Sequence, residues 1–120
     1  MTIRRMKTYT GEQGYVYQYY FVGKRPAVSA PPEGAASEYV YDVTADRKTM
    51  FAVSVFLPDS ALEQWSRSHH RILTDAEQYA AIKMRLFQAF DEIENMLTDG
   101  RQLGVDSDTL DRVLGKLGVA

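Results

Sequence analysis

The sequence predicts an α+β domain: an antiparallel sheet of about four strands, then two or three helices, with a long helix over about residues 75–98 packed on one sheet face. Three observations carry this. Six of the eight tyrosines fall in two short runs, Tyr15–Val22 and Tyr39–Tyr41, rich in the aromatic and β-branched residues that suit a pleated surface. A third run, Thr49–Leu57, is almost wholly apolar and stops at Pro58. After Thr74 the apolar residues change period and recur every three or four positions, as on one face of a helix.

Taken in order, Ile3–Thr10 forms a first strand whose charges suit a sheet edge, where lysine and arginine discourage unwanted pairing. Gly11-Glu12-Gln13-Gly14 is a hairpin loop. A second strand runs from Tyr15 to about Lys24. Tyr15, Tyr17, Tyr19 and Phe21 point one way and Val16, Gln18, Tyr20 and Val22 the other. Both sets are largely apolar, so this sheet is expected to be covered on both faces or to offer an aromatic face to a partner. Residues 26–36 form a Pro/Ala-rich loop, because Pro31-Pro32 excludes helix and central strand.

A third strand covers about Ser37–Val43, and the turn Thr44–Lys48 leads into the fourth, Thr49–Leu57. There Phe51, Val53, Val55 and Leu57 share one face, and Ala52, Ser54 and Phe56 share the other. The pattern predicts a central strand buried on both sides. Ser60-Ala61-Leu62-Glu63 has the spacing of a capping box and opens a short helix to about Ser68, with Leu62 and Trp65 inward. Thr74-Asp75-Ala76-Glu77 is a second capping box. Its helix places Tyr79, Leu86, Phe90, Ile93 and Leu97 on an apolar stripe, with Ala76, Ala80 and Phe87 alongside, and stops at Gly100. At about 1.5 Å per residue it measures roughly 36 Å and overhangs the sheet. Asp106-Ser107-Asp108 caps a last helix whose stripe is Leu110, Val113, Leu114 and Leu117.

The 120 residues make one domain, strand-rich over 1–57 and helical over 60–120. The net charge of −2 gives no bulk attraction to nucleic acid or to an anionic membrane. The absence of cysteine excludes disulfides and thiolate metal sites. No apolar run reaches a membrane span and no apolar segment follows the basic N-terminus, so the expected setting is cytoplasmic.

No residue pattern specifies catalysis, a metal or a cofactor. Adjacent His69 and His70 point apart on a helix and make a poor chelate, although Glu63 or Asp75 could approach them. Asp106, Asp108 and Asp111 resemble part of a calcium loop, but Asp111 stands at the glycine position and Leu117 at the glutamate position. Asp91, Glu92 and Glu94 read as a solvated helix face, and Ser54, Ser66 and Ser68 have no nucleophile motif around them. Three functional readings follow. The first is a non-enzymatic interaction module, a homodimer joined through Tyr15, Tyr17, Tyr19, Tyr39 and Tyr41 or through the helix overhang. The second is a small-molecule pocket lined by Phe51, Trp65, Tyr79 and Phe87. The third, disfavoured by net charge, is single-stranded nucleic-acid binding by Arg4, Arg5 and Lys7 beside exposed tyrosines.

Overall fold

The computed structural model describes residues 5–12, 14–27 and 34–119. Strands β1 (Lys7–Thr10), β2 (Val16–Pro26), β3 (Ala36–Thr44) and β4 (Phe51–Pro58) form an antiparallel meander. Helices α1 (Asp59–His69), α2 (Asp75–Glu92) and α3 (Met96–Asp99) follow. A short strand β5 (Gln102–Gly104) then returns parallel to β4, and α4 (Ser107–Lys116) completes the order. The sheet order is β1-β2-β3-β4-β5. This is the α+β arrangement expected, with β5 added: three residues flanked by glycine carry no periodicity that a sequence could display.

The alternation along each strand divides the sheet into two unlike faces. Tyr17, Tyr19, Tyr39, Tyr41, Val43 and Phe51, with Val53, Val55, Leu57 and Leu103, are buried against Ile82, Leu86 and Phe90 of α2. Helix α4 packs in turn on α1 and α2 through Leu110, Val113 and Leu114. The opposite residues of β4 are not buried: Ala52 is exposed, and Ser54 and Phe56 are half-buried. The expectation of a central strand covered on both sides is therefore corrected. Among the described residues the helices cover one face only.

The aromatic rings join sheet to helix. Tyr17 stacks on Phe90 at 4.3 Å and Tyr9 on Phe87 at 4.3 Å, while Phe21 meets Tyr79 edge-on at 5.0 Å. Each such pair adds about 0.5–1.5 kcal/mol beyond the area it buries. A bulge at Phe21/Gly23 shifts the alternation by one residue. Lys24 then turns to the Tyr39 ring, and Arg25 moves to the opposite face across from Glu38.

Local signals hold in part. The second capping box is present: Glu77 N–H donates to Thr74 Oγ1 at 3.2 Å, and Thr74 N–H donates to Glu77 Oε1 at 2.9 Å. Asp106 caps α4 by accepting from Thr109 N–H at 2.7 Å. The first capping box does not form. Helix α1 begins two residues earlier, at Asp59, behind an N-cap, Pro58, that has no side-chain acceptor.

The long helix is also shorter than its periodicity implies. It ends at Glu92, about 27 Å from its start. Ile93 is extended, and the Asn95 side chain accepts from Thr98 N–H at 3.3 Å to open α3. Asparagine competes for backbone amides in this way and favours a restart over continuation. The break rotates the apolar phase, burying Met96 and leaving Leu97 about half exposed. The overhang proposed as a contact surface is therefore absent. Gly100 does close α3, but at φ −114 it is not there for left-handed backbone. A Cβ at this position would strike Met96 Sδ and Cε. Residues 1–4 and 28–33, which include Arg4 and most of the proline-rich loop, lie outside the described residues.

Candidate functional site

The five tyrosines proposed as contacts separate sharply. Tyr17, Tyr19, Tyr39 and Tyr41 are 0–4% exposed, beneath the helices, whereas Tyr15 is 45% exposed. The four buried tyrosines are core residues and present no contact surface. Burial raises the pKa of Tyr17 and Tyr19, and carries that of Tyr41 far above the usual tyrosine range, with Tyr79 adding to it. The same burial removes the stacking platform that the nucleic-acid reading requires. Arg5 and Lys7 are exposed, beside an inward-turned tyrosine set.

The face left uncovered carries the other half of the alternation. Val16 and Val22 are about half exposed, and Tyr20, Val40 and Phe56 are half-buried. A polar network crosses three strands among them. Arg25 donates from Nε and Nη2 to the two carboxylate oxygens of Glu38 at 2.9 and 3.2 Å. The Ser54 hydroxyl donates to Glu38 Oε2 at 2.6 Å. The Arg25 guanidinium, and then the Ser54 hydroxyl, hold the Glu38 carboxyl below its ordinary range. Glu38 is thus an ionised, engaged acceptor on a mixed face, where the apolar residues alternate with Gln18, Asp42 and Ser54. Ser54 is occupied here as a donor to Glu38.

The remaining sequence candidates resolve individually. His69 Nε2 lies 2.8 Å from Asp111 Oδ1, and its ring stacks on Trp65 at 4.3 Å. Its carboxylate partner comes from α4 rather than from Glu63 or Asp75, and the contact ties the end of α1 to α4. His70 is the left-handed cap of α1, with φ 56. Among the described residues no three His, Asp or Glu side chains converge as a metal ion would need.

Asp91 is not part of a solvated face. It accepts from the Tyr9 hydroxyl at 2.7 Å on Oδ2 and from Glu12 N–H at 3.0 Å on Oδ1, clamping the β1–β2 hairpin to the end of α2. The only sequence trace of this clamp is Gly11, where a Cβ would come within 2.7 Å of Asp91 Oδ1. Phe51, Trp65, Tyr79 and Phe87 do not line a common pocket. Phe51 borders a cleft at one end of the sheet, Trp65 borders a small hollow beside His69, and Tyr79 and Phe87 pack against the core under the sheet. The aromatic-lined pocket is thus not assembled from these four residues.

Comparison with known proteins finds no matching family model, no matching curated protein and no matching solved structure. No helix among the described residues is long and apolar enough to cross a membrane.

Proposed function

We propose that the chain is a non-enzymatic interaction module that self-associates through the uncovered face of its sheet. The observation that carries this reading is the composition of that face. Val16, Tyr20, Val22, Val40 and Phe56 share it with Gln18, Asp42 and the paired Arg25–Glu38–Ser54 network. The apolar residues among them favour leaving water. A carboxylate already bonded to Arg25 and Ser54 also costs less to cover than a bare one.

The occupant that fits is a second copy of the same face. A twofold pair places apolar rows against apolar rows and carries Arg25 and Glu38 on both partners, so neither copy meets a surface of uniform charge. Two such sheets stack about 10 Å apart, as in a sandwich. With strands about 4.8 Å apart and about 3.4 Å of rise per residue, the face projects an area on the order of 500 Å². Stable complexes bury roughly 800 Å² per partner, so a weak dimer in the micromolar range is expected.

The test is native mass by light scattering over a concentration series, on the wild type and on a Val16→Glu/Val22→Glu variant. Both residues are about half exposed, so the variant keeps the fold. A mass that doubles with concentration in the wild type and stays monomeric in the variant supports the reading. A wild type monomeric up to about 1 mM refutes it.

A further inference from the structure

We draw no further inference here: the strongest candidate, the small polar hollow between α1 and α4 bordered by Trp65, Ser68, His69 and Asp111, carries nothing because the unpartnered Trp65 Nε1 is fully buried rather than open to the hollow, and His69 and Asp111 are already bonded to each other.

Discussion

Removing the Asp91 carboxylate should release the first hairpin from the helix layer. Asp91 accepts from the Tyr9 hydroxyl at 2.7 Å and from Glu12 N–H at 3.0 Å, residues about eighty positions distant in the chain. Hydrogen bonds to a charged acceptor contribute about 1.5–3 kcal/mol when buried. Tyr9 is only half-buried and Glu12 is exposed, so screening reduces each bond to about 1 kcal/mol. Asp91→Ala is therefore expected to cost about 2 kcal/mol. Tyr9→Phe should cost about 1 kcal/mol, because the ring keeps its stack on Phe87. The double mutant should cost about 2 kcal/mol and not 3, giving a coupling energy of about 1 kcal/mol.

Urea unfolding of the four proteins measures the cycle. A coupling within about 0.3 kcal/mol of zero would refute the clamp. Titration gives a second check. Hydrogen bonding to Asp91, then burial, then the Asp91 charge push Tyr9 up to about 12. Because the folded value is raised, this contribution is complete below the unfolded value of about 10 and is lost as pH rises through 12. Asp91→Ala should return the Tyr9 ionisation, read by ultraviolet absorbance, towards the ordinary range.

Two further outcomes are expected. The buried Tyr41 hydroxyl has no hydrogen bond of good geometry, so Tyr41→Phe should be neutral or stabilising by up to about 1 kcal/mol; a loss above about 1 kcal/mol in thermal unfolding would show a partner for that hydroxyl. Arg71, and then the Thr74 amide, hold Glu77 at about 2. A depressed carboxyl contributes stability above its ordinary range of about 4.5 and loses it as pH falls towards 2. Acid unfolding of Glu77→Gln should consequently show a flatter dependence across that window than the wild type, and identical curves would remove the Arg71–Glu77 pair from the account.

Elements whose cause is local were legible in the chain. The strands Tyr15–Lys24, Ser37–Val43 and Thr49–Leu57 follow from alternation, and the starts of α2 and α4 follow from Thr74, Glu77 and Asp106, whose side chains bond amides three residues away. The end of α2 was not legible. Ile93 and Leu97 continue the helical period, whereas the break depends on Asn95 turning back to Thr98 and on Met96 finding a place in the core. Strand β5 was missed for a similar reason, since three residues become a strand only by pairing with Ser54, Val55 and Phe56.

The candidate surface divides along the same line. The sequence by itself determined that two apolar sets exist on the tyrosine-rich strand, because alternation is a property of the extended backbone. It did not determine which set faces the helices. That choice rests on the stacking of Tyr17 on Phe90 and Tyr9 on Phe87, contacts between residues more than seventy positions apart. Tertiary packing took the four tyrosines into the core and left Val16, Tyr20, Val22, Val40 and Phe56 on the opposite face. Asp91 illustrates the same limit in one side chain. Its neighbours in sequence mark it as a solvated acid, and only the approach of Gly11, permitted by the missing Cβ, makes it the anchor of the hairpin. Pattern sets the faces an element possesses; the partner each face meets is fixed when distant elements compete to bury area and to satisfy their polar groups.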